Sequence, residues 1–386
     1  MIRNVFIKKI LKQVLTPCLT TLNKIVPKDD RKIFLYSANG GIMFSLVPLR
    51  DYLLKNEYDK KYSIYCGISN MSFAENLPRV KFVSGIKSVI VFLRAKHVFY
   101  TAGQLPIRPS KNQCVIHLRH GNANFKPVGM LTNINNGDEF FFTYMIASSD
   151  YYIPLMAKEY ACPESCIKVA GDPMTDALLN SVGTYDAFKS YSKMLVWLPT
   201  FRQSDFLGYD DSHYTNLVPL FEPEDYPALN ELLAKFNIKL IVKLHPSQNS
   251  LEKLQRHFSH LSIYSHAEFK SSGYDMMALM ANSDGMIGDY SSASMQYLLI
   301  DKPMAFVVPD IDDYKNTRGF LFENPEEYMG GHIVKTKEEF YAFIEDFAQN
   351  KDVYKDKRHW VCNQIYKYQD ANSCQRIVEL SGLSAK

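Results

Sequence analysis

Short apolar runs alternate with longer amphipathic stretches from about residue 31 onward. Ten of these runs have the length and composition of buried strands. They are KIFLYS, YSIYC, KHVFY, CVIHL, YMIASS and IKVAG in the first half, and MLVWLP, IKLIVKL, DGMIGD and PMAFVV in the second. Strands that alternate with helices in this way predict parallel sheets covered by helices on both faces, an α/β fold.

One segment interrupts the alternation. Asn180–Lys193 reads NSVGTYDAFKSYSK and has no strand pattern, so a domain boundary is predicted near residue 190. Residues 31–190 and 191–386 are then two Rossmann-like domains. We expect a cleft between them at the carboxyl ends of the strands, where open α/β sheets bind ligands.

The first 30 residues form a third region. Up to Lys28 they carry basic but no acidic side chains, and apolar residues recur at helical spacing, which predicts a basic amphipathic helix. Such a helix either lies on an anionic membrane surface or packs on its own domain with a solvated basic face, and the sequence leaves both open. The apolar positions are Ile7, Ile10, Leu11, Val14, Leu15, Cys18, Leu22 and Ile25.

Composition narrows the class of protein. The 386 residues are 46% hydrophobic and 22% charged, as in soluble globular proteins large enough for two cores. A net charge of +3 gives no reason to expect a nucleic-acid partner. The seven scattered cysteines fit a reducing cytoplasm, and Cys162 and Cys166 lack neighbouring ligands for zinc. No apolar run of about 20 residues predicts a membrane span.

The motif GDYSSASMQYLLI places Ser291 and Ser292 between a predicted strand and a helix, two residues after Asp289. A serine hydroxyl there caps the first helical turn, and the free N–H groups favour an anion. The alternative is a capping serine without a ligand. Asp289 either orients this turn or contacts the ligand.

Other predicted strand ends supply further cations and hydroxyls. Together they suit a pyrophosphate better than solvent. No G-x-G-x-x-G or Walker motif is present, and the acidic pair in PDIDDY, Asp310 and Asp312, is assigned to a loop rather than to a metal site. No cofactor is expected to be required, although a divalent cation such as Mg²⁺ stays open. The additional residues are Thr200, Arg202, Lys243, His245 and Arg318.

Several motifs in this order resemble those of the CDP-glycerol glycerophosphotransferase family, the primases and polymerases of teichoic acid and related capsule polymers. The resemblance begins near Leu35 and covers most of the chain. It implies a GT-B-like fold in which the first domain faces the acceptor and the second binds the cytidine nucleotide. The motifs are HLRHGNANFKPVG, GDPMTD, LPTFR, KLHP, GDYSSASMQYLLIDKPMAFVVPDIDDYKNTRG and GGHIVKTKEEF.

The resemblance also assigns site residues. The histidine of its HG motif, thought to act as a base, falls on His120, followed by Gly121. A second histidine falls on His245, preceded by Lys243 where the family has arginine. The DYSS serines fall on Ser291 and Ser292, and the RG arginine falls on Arg318. Arg119 and Met174 replace a tryptophan and an arginine common in the family, on the acceptor side.

These residues predict a reaction. A neutral imidazole suits removal of the proton from an attacking hydroxyl, which gives His120 the role of base, with His117 as a rival expected to be structural. His245, Arg318, the serines and the helix N-terminus would stabilise the leaving CMP without a metal. The predicted function is transfer of glycerol phosphate or ribitol phosphate from a CDP-alditol to a hydroxyl of a lipid-linked, teichoic-acid or capsule-oligosaccharide acceptor. Its location would be peripheral, at the cytoplasmic face of the plasma membrane.

Two alternatives from other classes stay open. A GT-B glycosyltransferase that uses a nucleotide sugar, such as CMP-sialic acid, would bind its donor in the same way but transfer a sugar at carbon. A non-catalytic nucleotide-binding or scaffold protein would bind a CDP-alditol without releasing CMP.

Overall fold

The computed structural model describes residues 5–38, 40–101, 103–119, 121–128, 131, 139–184, 190–203, 211–246 and 256–385, with backbone alone for 5–13. The chain forms two compact units. Unit 1 comprises Met1–Asn122, Asn136–Asp176 and Asp370–Lys386, and unit 2 comprises Ala123–Asn135 and Ala177–Gln369.

The described residues form parallel strands and intervening helices. The strands are β1 (Asp29–Tyr36), β2 (Ser63–Ile68), β3 (Lys81–Ser84), β4 (Ala95–Tyr100), β5 (Cys114–His117), β6 (Tyr144–Ala147), β7 (Ile167–Val169), β8 (Lys193–Trp197), β9 (Ile238–Lys243), β10 (Leu261–Tyr264), β11 (Gly285–Gly288), β12 (Met304–Val307) and β13 (His332–Val334). The helices are α1 (Val5–Ile25), α2 (Leu46–Lys55), α3 (Ile86–Arg94), α4 (Tyr152–Tyr160), α5 (Pro173–Asn180), α6 (Tyr226–Lys235), α7 (His266–Ser271), α8 (Met276–Asn282), α9 (Ser292–Tyr297), α10 (Ile311–Thr317), α11 (Lys337–Ala348), α12 (Lys355–Ile365) and α13 (Ser373–Leu380).

Both sheets have the doubly wound strand order of Rossmann folds. The sheet of unit 1 runs β3-β2-β1-β4-β5-β6-β7, and that of unit 2 runs β10-β9-β8-β11-β12-β13. All the strand pairs are parallel. The order reverses between β1 and β4 and between β8 and β11, and a ligand crevice forms at such a switch point. The predicted α/β fold with two parallel sheets is confirmed.

The strands are buried because helices cover both faces of each sheet. In β9, for example, Leu240, Ile241 and Val242 have no exposed surface, although consecutive side chains point to opposite faces. This explains why the strands read as continuous apolar runs. All ten predicted strands are present, whereas β3, β10 and β13 are additional strands that the apolar runs did not indicate.

Each unit is built from more than one stretch of the chain, which differs from the single boundary predicted near residue 190. The main change of unit falls between Asp176 and Ala177, and Asp370–Lys386 returns to unit 1. The Asp176 carboxylate accepts hydrogen bonds from the backbone N–H groups of Ser373 (2.9 Å) and Cys374 (2.7 Å) at the start of α13. The predicted assignment of this C-terminal segment to the second domain therefore differs from the contacts, because a carboxylate distant in sequence caps its helix.

The described part of helix α1 packs on unit 1 with its polar side inward. Asn23 is fully buried and donates to the Arg108 carbonyl and to Gln113 Oε1, each at 2.9 Å. The side chains of Leu15, Leu22 and Ile25 are instead 42%, 40% and 74% exposed. These described members of the predicted apolar stripe therefore face away from the unit. No described helix is both long and apolar enough to cross a bilayer.

Candidate active site

Polar side chains of unit 2 gather at the carboxyl ends of neighbouring strands around its switch point. Thr200 and Arg202 follow β8, and Asp289 follows β11, the two strands between which the order reverses. His245 follows β9 and Asp310 follows β12, which flank this pair of strands. The strand order thus brings together residues that lie more than 100 positions apart in the sequence.

Arg202 joins three of these strand ends. Its Nη1 donates to Asp289 Oδ2 (2.6 Å) and to Thr200 Oγ1 (2.8 Å), and its Nε donates to Asp310 Oδ2 (2.8 Å). The guanidinium carbon lies 5.0 Å from the ring centroid of Tyr290, whose hydroxyl donates to Asp310 Oδ1 (3.1 Å). Burial alone would lower the pKa of Arg202, but the two carboxylates outweigh it and raise the pKa above its usual value. This arginine is an internal cross-link, with its charge already neutralised.

Asp289 is 1% exposed and has a positioning role. In addition to Arg202, its Oδ2 accepts the backbone N–H of Thr200 at 2.8 Å. Its Oδ1 is buried and has no hydrogen-bond partner among the described residues. Asp289 therefore holds the end of β8 against the end of β11 and retains one acceptor oxygen.

The turn after β11 places the two predicted serines at the start of α9. Ser291 is the N-cap residue, and its Oγ accepts the backbone N–H of Ser294 at 3.3 Å. Ser292 is the first helical residue, and both serines are partly exposed. A Cβ on Gly288 would lie 2.1 Å from Ser294 Oγ, so only glycine lets α9 approach the strand so closely. The capping role of Ser291 is confirmed.

Arg318 shares a carboxylate with Lys126, a residue that the sequence pattern did not indicate. Lys126 Nζ lies 3.0 Å from Asp211 Oδ2, and Arg318 Nε lies 3.1 Å from Asp211 Oδ1. The Tyr314 hydroxyl also donates to Asp211 Oδ2 at 3.0 Å. Asp211 is almost fully buried, whereas Lys126 and Arg318 retain some exposure. One carboxylate thus holds two cations at the surface of unit 2.

Lys243 is the remaining cation at these strand ends, and His245 lies close enough to be affected by the charges of Lys243 and Lys126. The His245 ring lies 5.0 Å from that of Phe201. Burial, together with the positive charges of Lys126 and Lys243, lowers the pKa of His245 to about 4. His245 is therefore neutral at pH 7. Burial also lowers the pKa of Lys243, whose Nζ is placed 3.4 Å from the Leu244 carbonyl and has no described acidic partner.

The charges of this cluster do not balance. Lys126, Arg202 and Arg318 pair with three carboxylates. Lys243, whose charge acts on His245, has no described carboxylate partner, so one positive charge is in excess when His245 is neutral. Positions at strand ends indicated most members of the cluster but not Lys126 and Asp211, because neither follows a predicted strand of unit 2. Asp310, predicted to belong to a loop, lies in the turn directly before α10 and accepts from Arg202, whereas Asp312 lies within α10. The members are Lys126, Arg202, Lys243 and Arg318, with Asp211, Asp289 and Asp310.

In unit 1, the segment around the predicted base is anchored on both sides. His120 itself lies outside the described residues. Arg119 adopts a φ of +58°, and its guanidinium lies 3.6 Å from the fully buried carboxylate of Glu159. Gly121 has a φ of +92°, which favours glycine, and the Asn122 N–H donates to Asp172 Oδ2 at 3.3 Å. Asp172 belongs to the GDPMTD motif, so this motif holds the backbone directly after Gly121.

His117, the rival base, is part of the core of unit 1. Its ring is stacked on that of Tyr100 with centroids 4.4 Å apart and lies 5.6 Å from that of Phe140. The side chain is 3% exposed. These contacts fit the expected structural role.

No metal site is evident in the part of the chain that the structure describes. It contains no group of three or more His, Cys, Asp or Glu side chains placed to hold a metal ion.

Arg202→Met tests the cross-link. It leaves Asp289 and Asp310 buried without their cation, so we expect the free energy of unfolding to fall by about 3–5 kcal/mol. Lys337→Met is the matched control, because its partly exposed pair with Asp225 (2.7 Å) is worth about 1 kcal/mol or less. Urea denaturation measures the free energy of unfolding of both variants. An equal decrease in the two would contradict the role of Arg202 as a cross-link.

The pKa of His245 predicts a pH dependence of stability. Its folded-state pKa of about 4 lies below the value of about 6.5 in an unfolded chain. The contribution of the neutral imidazole to the free energy of unfolding is therefore fully present above pH 6.5 and is lost as pH falls towards 4. Between pH 7 and 5 the loss is about 2 kcal/mol. Urea denaturation at several pH values should show a shallower dependence for His245→Gln, and an unchanged slope would show that the imidazole is not held neutral.

Known proteins of one family are similar to this chain over most of its length. The sequence model of the family CDP-Glycerol:Poly(glycerophosphate) glycerophosphotransferase matches residues 18–381. The teichoic acid ribitol-phosphate polymerase TarL of Staphylococcus aureus is 27% identical over 91% of this chain, which spans 62% of that relative's length. The teichoic acid glycerol-phosphate primase of Bacillus subtilis is 23% identical over 84% of this chain and 85% of its own length.

Solved structures agree on the fold. The wall teichoic acid polymerase TagF superposes with a TM-score of 0.72, covering 97% of this chain and 95% of that chain at 18% identity. At this identity the likeness concerns the GT-B-like fold alone. Since the family match extends over nearly the whole sequence, the chain belongs to the CDP-glycerol:poly(glycerophosphate) glycerophosphotransferase family.

Proposed function

We propose that this protein transfers glycerol phosphate or ribitol phosphate from a CDP-alditol donor to a hydroxyl of a teichoic-acid or related acceptor and releases CMP. The observation that carries the proposal is the excess positive charge at the switch point of unit 2. A CDP-alditol has two negative charges on its pyrophosphate, and ligands of doubly wound sheets bind at this position. Family membership supplies the substrate class.

The cluster suits a pyrophosphate because several of its donors are not saturated. Lys243 lacks a described acidic partner, and Arg318 uses only Nε in its described ion pair. Ser291 and Ser292 are partly exposed at the start of α9, which follows β11. In the strand order β11 lies next to β12 and is separated by β8 from β9, which ends at Lys243. We assign these four side chains to the donor phosphates. Arg202 and Thr200 would hold the strand ends in position without contacting the phosphates themselves. Their polar atoms already pair with one another and with Asp289.

The reaction balances without an additional reagent. The acceptor hydroxyl gives its proton to a base and forms a bond to the phosphorus that bears the alditol. The bond from that phosphorus to the bridging oxygen breaks, and the oxygen leaves on CMP, whose phosphate gains a negative charge. Lys243 and Arg318 would stabilise this charge, and neutral His245 would donate one hydrogen bond to it. The base is His120 on the resemblance of the HG motif.

The buried Oδ1 of Asp289 extends this assignment. An acceptor oxygen without a partner in a polar site suits a hydroxyl of the donor, which would satisfy it on binding. Asp289 would then both orient the strand ends and contact the donor.

Sugar transfer is the weaker alternative. A nucleotide sugar would bind the same cations, so the cluster does not distinguish the two donors. Family membership favours the polyol phosphate, and a donor panel separates them.

We further propose that the protein acts on a lipid-linked acceptor at the cytoplasmic face of an anionic membrane. The apolar stripe of α1 supports this, because burying Asn23 while exposing Leu22 and Ile25 costs free energy in water and is repaid at a lipid surface. Basic residues of the same helix, such as exposed Lys24, suit anionic lipids.

CMP release from CDP-glycerol and CDP-ribitol, with an acceptor oligomer, tests the enzymatic proposal. His120→Ala should retain donor affinity and lose turnover by about 10²-fold or more, since a general base contributes about that factor. His245→Ala should weaken both donor binding and rate, because the donor carries its negative charge in the ground state.

His359→Gln is the control for these variants. His359 is a half-exposed histidine paired with Asp301 at 2.7 Å, outside the cluster. It is a better control than His117, whose replacement would leave a cavity in the aromatic core. An active His120→Ala enzyme would remove the base assignment. A wild type that ignores both alditol donors and accepts a nucleotide sugar would overturn the proposed function.

Vesicle binding tests the membrane proposal. Replacing Leu15, Leu22 and Ile25 together by glutamine should reduce co-sedimentation with anionic vesicles at least about tenfold, because each buried aliphatic side chain contributes about 1.5–3 kcal/mol. Val182→Gln with Val353→Gln removes apolar groups that are 54% and 73% exposed in unit 2 and should leave binding unchanged. Equal binding by the two variants would exclude α1 as the contact surface.

A further inference from the structure

Lys126 belongs to a segment that is fixed to unit 2 on both sides of it. Phe125 is fully buried, and its ring meets those of Phe306 and Phe322 edge-on at 6.2 and 5.6 Å. The Phe125 carbonyl accepts the N–H of Leu321 at 2.8 Å. On the other side, Pro127 Cγ lies 3.7 Å from the position of a Cβ on Gly319. The backbone of Lys126 is therefore held in place without the help of its side chain.

The ammonium group of Lys126 lies in the charged cluster. It is 3.0 Å from Asp211 Oδ2 and about equally far from the ring centroids of Phe201 (5.4 Å) and Tyr314 (5.6 Å). Burial lowers the pKa of Lys126, and the negative charge of Asp211 opposes this shift. After burial, the positive charge of Lys126 makes the largest contribution to the lowered pKa of His245. Lys126 and His245 therefore share one polar environment.

Pairing with Asp211 accounts for only part of this lysine's capacity. An ammonium has three N–H donors, and Asp211 is its one described hydrogen-bond acceptor. Asp211 is in turn shared with Arg318 and Tyr314, so its single negative charge cannot neutralise both cations. A structural ion pair alone would need only one of them.

We propose that Lys126 binds the donor's pyrophosphate directly, together with Arg318. The inference rests on the proposed function and adds a ligand from a different part of the sequence. Asp211 acts as the positioning residue that holds both cations towards the anion. Because Lys126 follows His120 by six residues, one segment of the chain carries both the predicted base and a donor ligand.

Calorimetry with CDP-glycerol and with CDP tests this role. Lys126→Met keeps the length and the apolar contacts of the side chain but removes its charge. Loss of a charge-assisted hydrogen bond should weaken binding of both ligands by about ten- to hundredfold. The remaining affinity should also depend less on salt concentration. Lys337→Met, which removes an ion-paired lysine elsewhere in unit 2, should bind as wild type does.

Asp211→Asn separates ligand binding from a structural role. It removes the negative charge of the same ion pair but retains both cations and an amide oxygen that still accepts a hydrogen bond from them, so donor affinity should be kept or increased. If the two variants lose affinity equally, Lys126 acts only through its pair with Asp211, and the proposal is wrong. Wild-type affinity in Lys126→Met would overturn it as well.

Folding and turnover are measured alongside binding. Thermal unfolding identifies a variant that has lost its structure, and Lys126→Gln, which can still donate to Asp211, replaces Lys126→Met in that case. A wild type that binds CDP-glycerol without releasing CMP contradicts the proposed function, whereas the comparison of variants still decides the role of Lys126. A wild type that binds neither ligand overturns both.

Discussion

The candidate site depends on one buried interaction, the pairing of Arg202 with Asp289 and Asp310. These residues follow three different strands of the unit 2 sheet, and the hydrogen bonds of a single guanidinium hold the strand ends together. The ring of Tyr290 lies against the guanidinium, and the N–H of Thr200 donates a second hydrogen bond to Asp289 Oδ2. A buried ion pair of this kind contributes little net stability but enforces one geometry, since breaking it leaves a charge in the interior.

Around this neutralised centre, the charge that remains is positive and partly exposed. Lys126 and Arg318 share the carboxylate of Asp211, and Lys243 has no described acidic partner. Burial keeps His245 neutral among these cations. Charged side chains of the same types thus have two different roles in this site. Arginine and aspartate in the interior fix the strand ends, whereas we propose that the partly exposed Lys126 and Arg318 bind an anion.

The fold could largely be predicted because its signal is local. Strands buried on both faces are continuous apolar runs, and all ten such runs are strands. The three missed strands are short edge or near-edge segments: β13 has three residues, and KFVS in β3 carries a lysine and a serine. Edge strands need fewer apolar side chains, because one side of the strand and part of its surface meet solvent.

What could not be predicted concerns pairings between distant residues. Nothing in the local sequence shows that Asp176 caps α13, or that the segment of Phe125 and Lys126 packs with unit 2. The helical spacing of α1 predicted an amphipathic helix correctly but not which side is buried, because the buried side is fixed by hydrogen bonds from Asn23. Capping and strand-end positions indicated Ser291, His245 and Arg318, and the motif resemblance assigned the same residues. Asp211 lies in a stretch without any strand or helix signal.

We propose that the strand ends of unit 2 at its switch point bind a nucleotide pyrophosphate. A crystal structure of the protein with CDP-glycerol tests it most directly. We expect pyrophosphate oxygens within hydrogen-bond distance of Arg318 and Ser291, with Arg202 still paired to Asp289 and Asp310. A donor bound at another edge of the sheet, or one that displaces Asp289 from Arg202, would contradict it.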